Sequence, residues 1–524
     1  MAFTWVGLAL LSAARPPSPP DVSRGSAFVT NMEGIQVLHL KGDPYSLGFY
    51  HGARLPTQTN LQEQTFDDLY GSLIENPLTR EVTRLGLRFV LRKLPAAMTR
   101  PELLEARGLA DGRDDTLSEL GPLYYRGLSY PAHYDLYPPP TKTPAALSSS
   151  LVAVNGTRGR HHGSFLARNL DLAGATGFDG DRTLFVVKPT GRFGYVSLGW
   201  PGFLGVLSGI NEHGLAVALN PAPAEGRIHH GIPSPLLGRR LLTQARSVEG
   251  AIGLLTRTPS MGHQIIGLSD ATGQSAIVEL SPTRIGIRRG DLLAAANHFE
   301  TPALKDTAAN RIQRSETTSG PRRQRLRTLL EGFPERVGPA ELVSVMRDRG
   351  GDSGRLLPAG HRHSINSLNA IHSLVLDSHA RAIWVNRGPH TSGEYTGFDV
   401  RALLAAETSS AINAASLHPI PSDPLLKLEP AVKRARNRLR AAGAALGSGQ
   451  HEVARRHLDA TAPLNDHPIT LTLRGRLAEE QGDTEWAFEF YRQALVGPPE
   501  RAAEAESLRA ALERLNRTLK IGSR

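Results

Sequence analysis

At 524 residues the chain is longer than one ordinary hydrophobic core serves, so two or three domains are expected. Its net charge of +10 is spread along the whole length with no aromatic-interleaved basic stripe, which argues against nucleic acid as a partner. Cysteine is absent, and that excludes disulfides, thiolate metal sites and a cysteine nucleophile.

The chain opens on an apolar run, Phe3 to Ala14, that ends in small residues and precedes Arg15-Pro16-Pro17. Without a basic residue ahead of it, residues 1–25 read either as a signal peptide or as a disordered tail. Localisation therefore stays open between cytoplasmic and exported. No later stretch reaches the ~18 consecutive apolar residues of a membrane span, so none is expected.

Residues 26–147 read as a mostly helical segment. A strand from Ile35 to Leu40 leads through a glycine-rich turn into helix, and 59–130 carries apolar residues at three-and-four spacing around Leu85, Leu87, Val90 and Leu91. The Tyr-, Pro- and Thr-rich stretch 131–147 has no period and reads as an exposed linker. From 148 the texture changes to short apolar runs at 151–154, 164–167, 183–187, 195–198, 204–210 and 215–219, separated by Gly, Asn, Asp and Pro turns. One helix over 235–257, strands at 264–268, 275–280 and 283–287, two helices within 321–349 and strands at 370–376 and 381–385 complete a region 148–407. Strand runs, then helices, then strands indicate an α+β fold of antiparallel sheets layered with helices. Residues 408–426 read as a linker. Residues 427–519 are almost continuously helix-forming, and Gly475, Gly482, Ala487, Tyr491, Ala494 and Pro499 fit the tetratricopeptide pattern, with a weaker copy at Gly449, Ala454 and Leu458. Such an all-α module is expected to lean on the main domain or on a protein partner.

Two features carry chemistry. Leu147-Ser148-Ser149-Ser150-Leu151-Val152 sets a serine cluster at the head of a strand after a pliable segment, and Arg168-Asn169-Leu170-Asp171 sets a cation, an amide and a carboxylate at the end of the next. The pairs His161-His162 and His229-His230 and the His361-x-His363 triplet lack an acidic partner motif, so neither a metal nor another cofactor is expected.

Seven segments recur in an order that resembles the acyl-coenzyme A:6-aminopenicillanate acyltransferase family, with choloylglycine hydrolases and acid amidases as relatives. They are Gly42-Asp43-Pro44-Tyr45-Ser46-Leu47-Gly48-Phe49-Tyr50-His51-Gly52, Ser148 to Ala153, Phe165 to Asp171, Gly209 to Asn220, Ala296-Asn297-His298-Phe299, Ser319 to Arg325, and 366–399. The resemblance implies an N-terminal-nucleophile hydrolase sandwich of αββα layers acting on a small N-acyl substrate. It implies self-cleavage between Leu147 and Ser148, after which the Ser148 amine serves as base for its own hydroxyl. The family nucleophile is normally cysteine, so a catalytically lapsed fold serving as a binding protein is the alternative. By the same resemblance Asp171 orients the Ser148 amine, Arg168 holds that carboxylate or the substrate, Asn220 supplies oxyanion donors, and Asn297 fixes the amine or lines the acyl pocket. Arg322 or Arg325 contacts substrate. Ser149 and Ser150 remain rivals to Ser148.

Overall fold

The computed structural model describes residues 15–21, 24–73, 76–135, 147–172, 178, 180, 182–223 and 230–522. The apolar run at 3–14 and the core of the linker at 136–146 lie outside these residues. So do the side chains of Leu85, Leu87 and Val90, whose backbone is helical.

The N-terminal segment begins with two strands, β1 (Gly25–Met32) and β2 (Ile35–Gly42), of which sequence patterning suggests only the second. Six helices follow: α1 (Pro44–Arg54), α2 (Pro56–Leu73), α3 (Pro77–Leu91), α4 (Leu94–Ala97), α5 (Arg100–Asp111) and α6 (Leu123–His133). The glycine-rich motif at 42–52 has a local cause. Asp43 caps α1 by accepting from the Ser46 amide at 3.0 Å, and Pro44 fits its first turn. Gly48 then lies so close to α5 that a Cβ there would meet the Glu105 carbonyl.

The middle of the chain supplies β3 (Leu147–Val154), β4 (Phe165–Leu172), β5 (Thr183–Pro189), β6 (Tyr195–Gly199), β7 (Ser208–Asn211) and β8 (Ala216–Pro221), then α7 (Ser234–Gln244) and α8 (Val248–Arg257). The single helix expected over 235–257 is in fact two. Ser247 caps α8 by accepting from the Gly250 amide, and Asp270 takes the Val248 amide at 2.8 Å, which ends one helix and starts the next. Strands β9 (Gln264–Ser269), β10 (Ser275–Leu280), β11 (Ile285–Arg289) and β12 (Leu292–Ala295) precede α9 (Ala308–Ser315), α10 (Ser319–Glu331) and α11 (Pro339–Met346). The body closes with β13 (Ala370–Asp377), β14 (Ala382–Asn386), β15 (Tyr395–Asp399), α12 (Val400–Ala405) and β16 (Ser416–Ile420).

Two sheets result. One has nine strands in the order β1-β2-β5-β6-β7-β8-β9-β10-β11, and the other has seven in the order β12-β3-β4-β13-β14-β15-β16. All ladders are antiparallel except that of β2 with β5. Alternation along each strand sorts side chains into layers. In β3, Leu151 and Ala153 enter the core between the sheets, while Val152 and Val154 face α10 and α11. On the far face of the nine-stranded sheet, Leu40, Val187 and Val217 pack beneath α1, α5, α6, α7 and α8. The body is thus four layers, helices–sheet–sheet–helices, in an α+β fold.

The stretch expected as a linker, 408–426, contains β16, which pairs at the sheet edge with Tyr395 opposite Ile420. An edge strand tolerates Pro419, which obscures it in the sequence. Five helices follow: α13 (Glu429–Gly447), α14 (His451–Asp459), α15 (Pro468–Glu480), α16 (Thr484–Ala494) and α17 (Ala502–Gly522). They pack on the body and on each other, with Leu368 of the body in the same apolar cluster as Val432, Leu439 and Leu473. Among the described residues, no helix is long and apolar enough to cross a membrane.

Candidate active site

Strands β3 and β4 bring the serine cluster and the Arg-Asn-x-Asp group together. In their ladder Ser148 stands opposite Asp171, Ser150 opposite Asn169 and Leu151 opposite Arg168. Because side chains alternate, Ser148, Ser150 and Asp171 face the helices α10 and α11, whereas Arg168 points between the sheets. The three serines have different surroundings. Ser148 is half-buried and lines a cavity of about 780 Å³. The Ser149 hydroxyl is buried with no hydrogen-bond partner, and the Ser150 hydroxyl accepts from Arg322 at 3.1 Å.

Arg322, on α10, is buried and holds strand β3 from the helix side. One guanidinium nitrogen donates to the Ser149 carbonyl and to Ser150, the other to Asn297 Oδ1 at 2.8 Å. Asn297 Oδ1 also accepts the Ser149 amide at 2.9 Å, and its Nδ2 donates to the Pro221 carbonyl at 2.9 Å. Burial lowers the Arg322 pKa to about 10, which leaves it charged near neutrality. Arg325, one turn on, is elsewhere. It forms a paired contact with Asp348, both bonds 2.8 Å, and does not line the cavity.

Arg168 and Asn220 form a second group on the inter-sheet side. Arg168 Nε donates to Asn220 Oδ1 at 3.2 Å, and its other nitrogens reach the Ser208 hydroxyl, the Leu207 carbonyl and the Tyr134 hydroxyl. The expectation that Arg168 grips the Asp171 carboxylate does not match this geometry, because residues three apart in a strand lie on opposite faces. Asn220 Nδ2 donates to the Ala296 carbonyl at 3.0 Å, next to Asn297, so the two groups meet through one short segment.

Asp171 accepts the Ser367 hydroxyl at 2.9 Å on one oxygen, and its other oxygen is buried without a partner. Burial raises its pKa, opposed first by Arg322, then by Ser367, Arg362 and Arg168. It is one carboxylate among cations, held where the Ser148 backbone passes. Ser319 and Ser367 enter the sequence reading only as members of longer segments, with no role for either, and Tyr134 is not singled out there; in the structure the Ser319 hydroxyl accepts the Asn297 amide at 2.9 Å. These contacts become meaningful only through long-range packing.

Of the histidines considered as metal ligands, His361 and His363 are buried, and His161, His162 and His230 are exposed. His361 donates to the Pro498 carbonyl at 2.8 Å, and His162 accepts from Arg336 at 3.0 Å. His229 lies outside the described residues. Among those residues, no group of three or more His, Asp or Glu side chains is arranged to hold a metal ion.

Comparison with known proteins adds a family to this geometry. Residues 158–390 match the model of the acyl-coenzyme A:6-aminopenicillanic acid acyl-transferases. That stretch, under half of the chain, is similar to this family. It holds Arg168, Asp171, Asn220, Asn297 and Arg322, and it begins after Ser148. An uncharacterized protein of Archaeoglobus fulgidus is 21% identical over 338 residues, 55% of this chain and 54% of its own length. The chain therefore spans about half the length of that curated relative. Among solved structures, a Caenorhabditis elegans N-acylethanolamine-hydrolyzing acid amidase ortholog matches 51% of this chain and 98% of its own at 13% identity, TM-score 0.33. Penicillin V acylase from Agrobacterium tumefaciens matches 52% and 98% at 18% identity, TM-score 0.31. A conjugated bile acid hydrolase mutant from Clostridium perfringens matches 50% and 95% at 11% identity, TM-score 0.30.

Proposed function

We propose that the protein is a self-processing amide hydrolase or acyltransferase whose nucleophile is Ser148. The observation that carries this reading is the position of Ser148: opposite Asp171 in the ladder, braced by Arg322 through its neighbours, and open to a large cavity. In the precursor, the Ser148 hydroxyl attacks the Leu147 carbonyl, the acyl group shifts from nitrogen to oxygen and so frees the Ser148 amine, and water then hydrolyses the ester to give back the hydroxyl and leave the Leu147 carboxylate. That amine arises beside Asp171, whose unpartnered oxygen can accept its N–H. Nearby arginines disfavour an ammonium ion, which keeps the amine able to take the hydroxyl proton at neutral pH. A substrate amide is then attacked by the hydroxyl, its amine leaves with that proton, and water or an acceptor amine takes the acyl group. Asn297, whose Nδ2 has a second N–H beside the one given to the Pro221 carbonyl, is the candidate donor for charge developing on the carbonyl oxygen, and Asn220 with Arg168 steadies the Ala296–Asn297 segment from the inter-sheet side.

The match of residues 158–390 to the acyl-transferase family model supports chemistry at an amide bond. The intermediate exposure of Ser148, against the buried Ser149 and Ser150, favours it over its neighbours. We also read α15 and α16 as a tetratricopeptide-like pair. Gly475 leaves the space that the Tyr491 ring fills, and Gly482 turns between the helices at φ +81°.

The test is the intact mass of the purified full chain beside Ser148→Ala. Two fragments that part between Leu147 and Ser148, absent from the variant, support the reading. A wild-type chain that stays whole overturns it.

A further inference from the structure

The cavity at Ser148 has two walls of different origin. One belongs to the body and includes Ile312 on α9, Thr318 at the start of α10 and Arg322 on α10. The other is made by α15, α16 and α17, which contribute Leu473, Tyr491 and Leu508. These helices follow the family-matched stretch, which ends at residue 390. Two of the molecule's exposed large apolar side chains, Ile312 at 46% and Ile469 at 40%, line this same space from opposite walls. Charged groups such as Glu316, Arg476 and Glu504 also line it, alongside the apolar ones.

The helices are fastened to the site rather than tethered loosely. Arg436 on α13 donates to the carbonyls of Gly360, Ser367 and Leu368, each at 2.8 Å. Glu500 accepts the Arg362 amide at 2.9 Å, and His361 donates to the Pro498 carbonyl at 2.8 Å. All of these bonds fall on the segment that carries Ser367, the partner of Asp171. A wall held this way has a fixed distance from Ser148.

We infer that the C-terminal helices form one wall of the acyl pocket, so that the apolar acyl group of the substrate lies against Leu473, Tyr491 and Leu508. The inference rests on the reading of Ser148 as nucleophile, since that sets the end of the cavity at which the acyl carbonyl sits. The surface of this space is mostly apolar, with charged side chains interspersed on both walls and Ser148 on the body side, and its size suits a straight alkyl chain ending in a carbonyl. The appended helices then select acyl length, a task in place of the recruitment of a protein partner that their repeat-like sequence suggests.

The test uses the full chain titrated calorimetrically with octanoate, decanoate and dodecanoate, the product-like probes. Ala503 and Ser507 are exposed positions of α17 that line the cavity, so Ala503→Trp and Ser507→Trp fill it without entering the core. Arg509→Trp, exposed on the same helix but outside the cavity, is the control. Affinity is expected to rise about fourfold per added methylene in the wild type. Each cavity variant should lose about tenfold or more for dodecanoate, with the control unchanged. Equal chain-length profiles in all four proteins, or no binding by the wild type, would overturn the wall. Dodecanoate binding that obeys the tryptophans in a chain that never self-cleaves would instead overturn the nucleophile reading and leave the wall intact.

Discussion

Ser148 and Asp171 face one another across adjacent strands, on the side of the sheet that carries Arg322. The carboxylate is buried, and the cation that most strongly favours its charged form is Arg322. Removing that cation in Arg322→Met should push the Asp171 acid still further up. A carboxylate with a raised pKa is ionised only at higher pH, so self-cleavage that needs its charge should shift its pH profile to the alkaline side. Cleavage rates at pH 6 and pH 8 check this: the variant is expected to fall about tenfold or more at pH 6 and less at pH 8. Equal losses at both would show that Arg322 acts through packing alone.

Asp171→Asn keeps an oxygen for the Ser367 hydroxyl but removes the charge beside the future amine. The fold should persist, with circular dichroism unchanged, while self-cleavage slows by about a hundredfold. Cleavage at the wild-type rate would exclude Asp171 from the chemistry.

Asp135 links stability to pH. It sits where α6 ends, accepting the Ser234 amide at 2.6 Å and the Gln264 side chain at 2.9 Å, and burial raises its pKa from 3.8 to about 7. Between those values the folded chain holds a proton that the unfolded chain has lost. Its contribution is therefore greatest below about pH 4 and declines as pH rises through 7, by no more than about 4 kcal/mol. Urea unfolding at pH 5 and pH 8 should show a wild-type loss that Asp135→Asn reduces; an identical loss in both assigns the dependence to other groups.

Gly48→Ala tests the crossing of α1 and α5. The added Cβ would lie on the Glu105 carbonyl, and Gly108 opposite is as close to the Tyr45 carbonyl. Backbone cannot turn aside as a side chain can, so a loss of about 2–3 kcal/mol is expected, read as a fall in thermal midpoint. A midpoint within a degree of wild type would mean that the helices separate freely.

Arg436→Ala tests the fastening of the helices. The loss of three bonds from a cation to carbonyls should cost about 2 kcal/mol in stability. It should also make the segment around Ser367 more sensitive to limited proteolysis. Protection equal to wild type would show that apolar packing alone holds the helices.

Much of this arrangement was legible in the residues themselves. Apolar runs bounded by Gly, Asn and Asp outlined β3 to β8, because strands buried on both faces write their presence as short continuous hydrophobic stretches. The opposite facing of Arg168 and Asp171 was also available, since an odd spacing in a strand sends two side chains to different faces. Other parts leave little local trace. Strand β16 is short, on an edge, and contains Pro419. The break between α7 and α8 depends on Asp270, far along the chain. Arg322 and Arg325 look alike in an arginine-rich helix, and only tertiary packing brings one to Ser149 and the other to Asp348. The service of α15 to α17 as a cavity wall depends on a docking that no helical period encodes.

The parallel ladder of β2 with β5 carries its own consequence. Residues 36–42 lie between β1 and residues 183–189 inside one continuous sheet, with seven paired positions on the β5 side alone. A chain severed after Leu147 would leave two polypeptides sharing that sheet, held as warp and weft. Dilution would not part them, and a gene split at the same point would leave the first piece, whose strands are β1 and β2, without the sheet into which they pair. Made as one chain, the protein builds β2 into that sheet before any cut is made.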